Sequence, residues 1–306
     1  MFPGLNLIRG IITAVTWICG TILNLSVVAV FLRDWKNKIN LAVGDQIILT
    51  IGWTNLLSQS FCALDFICVT YGFYILLPKE FSLGVFVVII FLNCLLFWLI
   101  ASLSICYCLK LVNLSHEIWS DMKRRILNAI PLLLLGSGII SFAISLPFVW
   151  KTEIKDDKNT TDHLNDYLFI FNKPFSCINI TFGCGLPSVI TSCCIGLSIK
   201  SLLKHIWRMK KNISQFWSPQ TKNHLTACRT MFLLLVINLF LFFVYTLNIL
   251  IFSYSPDPLN ETVLWSLIML NPSGQAIVLI LGNSKLANMW SKIWLTLLGL
   301  GHTSAF

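Results

Sequence analysis

Residues 81–103 read FSLGVFVVIIFLNCLLFWLIASL, an apolar run that contains no charged residue. About 20 apolar residues suffice to cross the hydrocarbon core of a bilayer as a helix, and this run is longer. The stretch therefore predicts a transmembrane helix. Asn93 lies near the middle of this helix, where a side-chain amide is costly unless it has a partner. Asn93 is thus a candidate polar anchor of a small-molecule site.

The composition agrees with a membrane protein. The chain has 306 residues, of which 56% are hydrophobic and 11% are charged, and its mean hydropathy is +0.79. Soluble domains usually carry about 25% charged residues. The 11 cysteines show neither CxxC nor metal-ligand spacing, so we expect most of them to be buried core residues. Cys68 and Cys177 are predicted near the outer surface, and a disulfide between them stays open.

Further apolar runs alternate with polar connections along the whole chain. They predict an all-α membrane protein, a seven-transmembrane helix bundle that forms one domain over residues 1–306. A basic, apolar segment follows the last span and has Trp290 and Trp294 one helical turn apart, which predicts an amphipathic surface helix at about 284–298. Pro147 is expected to bend or end the fourth span. The predicted spans are about 7–32, 41–66, 81–109, 126–150, 177–206, 224–253 and 262–282.

The placement of the basic residues predicts the orientation. Most of the 22 Lys and Arg residues lie in the first, third and fifth connections and in the tail. Because cytoplasmic loops carry the excess of Lys and Arg, we expect an extracellular N-terminus and a cytoplasmic C-terminus. The sequon Asn159-Thr160-Thr161 then lies in the long outer loop, where Asn159 is a predicted glycosylation site.

The sequence offers no pattern of an enzyme. Its five histidines avoid the middle of the spans and have no metal-ligand spacing, and neither a Ser/His/Asp set nor a Gly-rich phosphate loop is visible. Charged residues inside the spans are nearly absent, which argues against an ion-coupled transporter. We expect no enzymatic activity, no metal, no cofactor and no nucleic acid partner.

Amides within the spans have two interpretations. For Asn24, Asn55 and Asn271, interhelical hydrogen bonds that fix the bundle are the favoured one. Asn93 lies near the depth at which bundle pockets form, so a ligand contact is equally plausible there. An apolar, aromatic pocket with a few polar groups suits small amphipathic ligands. The candidate ligand-binding residues are Asn93, Ile89, Phe97, Phe242, Tyr245, Asn248 and Trp265.

Basic residues cluster at the predicted inner ends of the third, fifth and sixth spans. They serve either to anchor the chain against anionic lipid or to bind a cytosolic partner, and charge alone favours neither. The candidate partner-facing residues are Lys110, Arg124, Lys204, His205, Arg208 and His224.

Four segments together resemble the type 2 (bitter) taste receptors, which are G-protein-coupled receptors. In chain order the segments are LSICYCLKLVNLSHEIW (103–119), SLLKH (201–205), TKNHLTA (221–227) and NPSGQAIVLILGNSKL (271–286). The resemblance implies a plasma-membrane receptor that binds small bitter molecules in the outer half of the bundle and activates a gustducin-like heterotrimeric G protein. The basic cluster would then face the G protein.

The chain departs from the family pattern at several ligand positions. Asn93 matches the family's ligand-contacting Asn, but Ile89 stands where the family has Trp. Trp265 replaces a frequent acidic contact, and Thr54-Asn55 replaces a Ser-Arg pair. These differences predict a divergent member that prefers neutral or weakly polar ligands to ammonium-bearing ones. The alternatives are a vomeronasal type 1 pheromone receptor and, from other classes, a seven-span lipid hydrolase or a transporter.

Overall fold

The computed structural model describes residues 3–111, 130–147, 153–154, 169–170, 173–209, 219–252 and 258–297. Within these ranges the chain is a bundle of α-helices, and two very short strands pair antiparallel with Glu153 opposite Ile170. The helices are α1 (Pro3–Lys36), α2 (Val43–Thr70), α3 (Phe73–Leu76), α4 (Lys79–Leu111), α5 (Ile130–Ser145), α6 (Lys173–Ile178), α7 (Leu186–Met209), α8 (Pro219–Phe252), α9 (Pro258–Gly282) and α10 (Ser284–Leu297). A π-helical segment, Asn179–Gly185, joins α6 to α7, and the strands are β1 (Glu153–Ile154) and β2 (Phe169–Ile170).

The predicted membrane fold is confirmed. Six helices in the described ranges are long and apolar enough to cross a membrane, and the apolar helix α5 is shorter. Apolar runs of this length produce such helices because a bilayer offers no water to unpaired backbone groups, so every N–H and C=O must bond within the helix. α5 ends at Ser145, shortly before Pro147, as the sequence predicted.

Many large apolar side chains of the spanning helices face outward, and several polar side chains are buried between the helices. Leu132, Val189 and Phe243 are exposed on the outside, whereas Asn24 and Gln275 are fully buried. This distribution suits a bundle whose surroundings are as apolar as its core. The largest buried cluster includes Phe31, Ile47, Ile51, Leu99, Leu103, Leu234, Leu279 and Leu286, so α1, α2, α4, α8, α9 and α10 share one core.

Amide side chains connect the helices at mid-bundle. The Nδ2 of Asn24 donates to the Pro272 carbonyl at 3.3 Å, and the Nδ2 of Asn55 donates to the Asn24 Oδ1 at 3.1 Å. Gln275 donates to the Oδ1 atoms of Asn238 and Asn271 at 3.2 and 3.3 Å. The bonds of Asn24 to Pro272, Asn55 to Asn24 and Gln275 to Asn238 join different helices, so the predicted interhelical role of Asn24 and Asn55 is confirmed. Asn271 is connected to α8 indirectly, through Gln275 of its own helix.

The cysteines are free thiols in the described part of the chain, and most are buried, as expected. Cys68 is buried while Cys177 is exposed. Both are free thiols, so the structure does not contain the disulfide that the sequence left open between them.

The bundle has two ends. The tail end contains the last residues of α1 and α4, Lys36 and Leu111, together with α10. The head end is the opposite one, where α2 ends at Thr70 and α9 begins.

Candidate ligand-binding site

Asn93 sits in the head-end half of α4 and is half-buried. Its Nδ2 donates to the carbonyl oxygen of Ile89, one turn earlier in the same helix, at 2.9 Å. This bond satisfies one amide hydrogen locally. Unlike the amides at mid-bundle, Asn93 makes no bond to another helix among the described residues, so its amide does not fix the packing there.

One turn from Asn93, an apolar cluster joins α4, the π-helical segment and α8. Phe97, Cys184 and Leu241 are buried at its centre, and Phe242 and Tyr245 pack against them. Three predicted ligand residues therefore lie together beside the Asn93 amide. We call Phe97, Phe242 and Tyr245 the aromatic wall. Such a combination suits a small amphipathic molecule.

The π-helical segment, which the sequence did not predict, brings Asn179 against α4. The Asn179 Nδ2 lies 3.5 Å from the Cys94 Sγ, and a Cβ at Gly183 would come within 2.7 Å of the same sulfur. Pro187 explains the widened turn, because its ring lacks an N–H and clashes with the carbonyl four residues earlier. Pro187, preceded by Gly183 and Gly185, was the only signal in the sequence.

Trp265 lies apart, on the α1–α2 side of α9. The Arg9 guanidinium carbon is 5.0 Å from the Trp265 ring centroid and 5.4 Å from that of Phe66, so Arg9 is held between two aromatic faces. The indole N–H of Trp265 is buried without a hydrogen-bond partner among the described residues. Nothing in the sequence indicated this role of Arg9.

Several predicted site residues cannot be compared with the structure. Asn248, His205, Arg208 and His224 belong to described helices, but their side chains lie outside the described part, as do residues Arg124 and Asn159 altogether.

At the tail end, Lys110 and Lys204 are exposed. The Ser201 hydroxyl donates to the Leu111 carbonyl at 3.3 Å and so joins the ends of α4 and α7. Two of the predicted partner-facing residues therefore belong to adjacent helix ends.

The tail end also contains an ionic cluster that the sequence did not predict. Lys285, at the start of α10, binds both Asp34 of α1 and Asp45 of α2. Partial burial lowers the pKa of its ammonium group, but the two carboxylates outweigh this effect, so the pKa is raised above that of an ordinary lysine.

Membrane-length helices with buried amides between them define the class of the chain as a multi-pass helical membrane protein. The family described as taste receptor protein (TAS2R) matches residues 1–297. The chain therefore belongs to the TAS2R family, and it is a bitter taste receptor.

Individual relatives agree with the family match. The chain is 27% identical to taste receptor type 2 member 40 of Gallus gallus, an alignment that covers 96% of this chain and 95% of the relative. It is 26% and 25% identical to taste receptor type 2 member 4 of Pan troglodytes and of Homo sapiens, over 90% of this chain and 92% of each relative. These matches support none of the alternatives, and the family is one of receptors rather than enzymes.

Proposed function

We propose that this receptor binds small bitter molecules in the head-end half of the bundle, beside Asn93, and activates a gustducin-like heterotrimeric G protein at the tail end. The observation that carries the ligand site is the cluster of Phe97, Phe242 and Tyr245 one turn from Asn93. Ile89 and Asn248 complete the proposed lining, and Trp265 adds a separate aromatic face on the α1–α2 side of α9.

Asn93 is the proposed polar anchor because its amide is not used for helix packing. Its described hydrogen bond stays within α4, whereas Asn24 and Asn55 are committed to other helices. A ligand acceptor or donor can therefore engage the remaining amide groups without breaking an interhelical bond. An unsatisfied polar atom on a bound ligand would cost about 1–3 kcal/mol, so such an anchor also orients the ligand.

The head end favours ligands without an ammonium group. Trp265 stands where the resemblance implies a frequent carboxylate, and the guanidinium of Arg9 lies against its ring. The Trp265 side chain itself offers a ligand cation no carboxylate to offset its desolvation. We therefore propose neutral or weakly polar ligands.

The G protein would dock on the basic tail end, where Lys110 and Lys204 are exposed. Arg124, His205, Arg208 and His224 extend this surface in the proposal. A ligand favours signalling only by binding one helix arrangement more tightly than another. Pro187 and Pro272 give α7 and α9 a point of bending. Bending there would move the tail ends of α7 and α9 and, through the contact between Gly282 and Thr230, that of α8. A cytosolic G protein reaches this surface only if the tail end faces the cytosol, so the proposal also puts the N-terminus outside the plasma membrane.

The test compares Asn93→Ala with the parent receptor in cells that express a promiscuous G protein, using calcium imaging and a panel of neutral bitter compounds and cationic alkaloids. We expect the agonist concentration for half-maximal response to rise about tenfold in Asn93→Ala, because one ligand hydrogen bond is lost. Surface expression should stay at the parental level.

Asn24→Ala is the matched control, since it removes the same amide from a helix-packing role. We expect it to lower surface expression and leave the half-maximal concentration of the displayed receptors unchanged. A panel dominated by cationic alkaloids, with responses that are insensitive to Asn93→Ala, would contradict the proposed site.

A further inference from the structure

A clasp of four residues, Asp34, Asp45, Asn283 and Lys285, joins α1, α2 and the α9–α10 junction at the tail end. The Lys285 Nζ lies 3.3 Å from the Asp34 Oδ2 and 3.3 Å from the Asp45 Oδ2. The lysine side chain is 46% exposed, but the two aspartate side chains are only 12% and 13% exposed. Both carboxylates therefore depend on one shared ammonium group, and removing it would leave two poorly solvated like charges side by side.

The clasp includes Asn283, the residue directly after the end of α9. Asn283 lies between Gly282, the last residue of α9, and Ser284, the first of α10. Its Nδ2 donates to the Asp45 Oδ1 at 3.2 Å, and its Oδ1 accepts the Lys285 backbone N–H at 3.0 Å, in the manner of a helix N-cap. The end of α9 is thus bonded to α2 directly and through Lys285.

Directly before the clasp, α9 touches α8 without space for a side chain. A Cβ at Gly282 would lie 2.6 Å from the Thr230 Cγ2 and 2.9 Å from the Thr230 Cβ. Thr230 is itself buried and donates to the Thr226 carbonyl at 2.8 Å, so it has little freedom to turn away. The position of α8 near its tail end is therefore set by the end of α9, which the clasp holds.

We infer that Lys285 is a positioning residue for signalling: through the clasp it holds the end of α9 against Thr230 and so favours the resting position of α8. The inference rests on the proposed coupling at the tail end, where α8 has to shift. Weakening the clasp loosens this contact and increases the population in which α8 has moved without a ligand. Lys285→Met should therefore raise agonist-independent signalling.

The experiment uses the full chain in cells with a promiscuous G protein, and it normalises inositol phosphate accumulation without agonist to surface receptor. We expect a rise of roughly two- to fivefold for Lys285→Met, the range that corresponds to a solvent-accessible ion pair. Lys285→Arg keeps the charge, and the double variant Asp34→Lys with Lys285→Asp restores an opposite pair, so both should return toward the parental level.

Lys36→Met is the matched control, because it removes a lysine two residues after Asp34, at the same end of the bundle. Lys36 is exposed, and the structure describes no ion pair for it. It should leave agonist-independent signalling unchanged. Signalling by Lys285→Met at or below the parental level, with normal surface display, would overturn the inference. So would a failure of the double variant to lower the signal.

If Lys285→Met reaches the cell surface poorly, Asp34→Asn replaces it in the test. This variant retains the bonds of Asp45 to Lys285 and Asn283, so agonist-independent signalling should rise less. If Asp34→Asn also fails to reach the surface, the clasp serves folding alone and the inference is wrong.

A parent receptor that answers no bitter compound would instead contradict the proposed function. Hydrogen exchange of the full chain in nanodiscs then tests the clasp independently of coupling: we expect faster exchange around Thr230 in Lys285→Met, and equal exchange would overturn the inference.

Discussion

Gly20 shows how a single residue decides the packing at mid-bundle. The side-chain amide of Gln59 occupies the space where a Cβ would stand: the Gln59 Oε1 would be 2.5 Å and its Cδ 2.6 Å from that atom. From this position the Gln59 Nε2 donates to the Ser273 Oγ at 3.2 Å. The absence of a side chain at one position of α1 thus allows α2 to bond α9.

At this scale we predict that Gly20→Ala lowers the thermal stability of the purified receptor in detergent. The added methyl group displaces Gln59 from its hydrogen bonds, at a cost of about 1–3 kcal/mol. Gly196→Ala is the control, since among the described residues no atom beyond its own stretch of helix lies within 4 Å of the added Cβ. Alanine also favours a helix over glycine by up to about 1 kcal/mol. Equal melting temperatures for Gly20→Ala and Gly196→Ala would contradict this account.

At the scale of elements, the π-helical segment packs against α4 at the Cys94 Sγ. Gly183 lies against the Cys94 Sγ, and the same thiol interacts with Asn179. The segment therefore positions the cluster of Cys184 and Phe97 beside Asn93. A change in this contact should propagate to the aromatic wall.

We predict that Gly183→Ala destabilises the receptor and that Cys94→Ala in the same chain restores part of the loss. The first change places a methyl group 2.7 Å from the Cys94 Sγ, and the second removes that sulfur. A double-mutant cycle of thermal unfolding should give a coupling of about 0.5–3 kcal/mol, the range seen for residues in contact. Strictly additive effects would show that the two helices do not meet as described.

The elements differ in how far the sequence predicts them. The membrane-length helices followed from long apolar runs, because their length and composition are local properties. The sequence predicted Phe97, Phe242 and Tyr245 only as members of one candidate ligand site, and the structure brings the three side chains into one cluster. The π-helical turn depends on backbone hydrogen-bond register, which composition does not reveal.

The clasp was missed for a different reason. Asp34 and Asp45 lie about 240 or more positions before Lys285, so only the arrangement of the whole bundle shows that these three charges share one site. Arg9 was missed in the same way, because its partners Phe66 and Trp265 come from two other helices.

At the scale of the whole molecule, charge and helix direction point to one orientation. Arg33 and Lys36 end α1, Lys110 ends α4 and Lys204 lies near the end of α7, so these basic residues share the tail end. Because positively charged segments stay on the cytoplasmic side, the tail end should face the cytosol. The N-terminus and the connection that contains Asn159 would then lie outside.

The last prediction tests this orientation in intact cells. A tag before Met1 should bind antibody without permeabilisation, and a tag after Phe306 should bind only after it. Asn159→Gln should reduce a glycosidase-sensitive shift in gel mobility, because Asn159 would lie in the long connection that faces the luminal glycosylation machinery. Asn113→Gln removes a sequon from the connection after α4, on the opposite side, and should leave the shift unchanged. The reverse pattern would place the basic tail end outside the cell, and G-protein coupling through Lys110 and Lys204 would then be physically impossible.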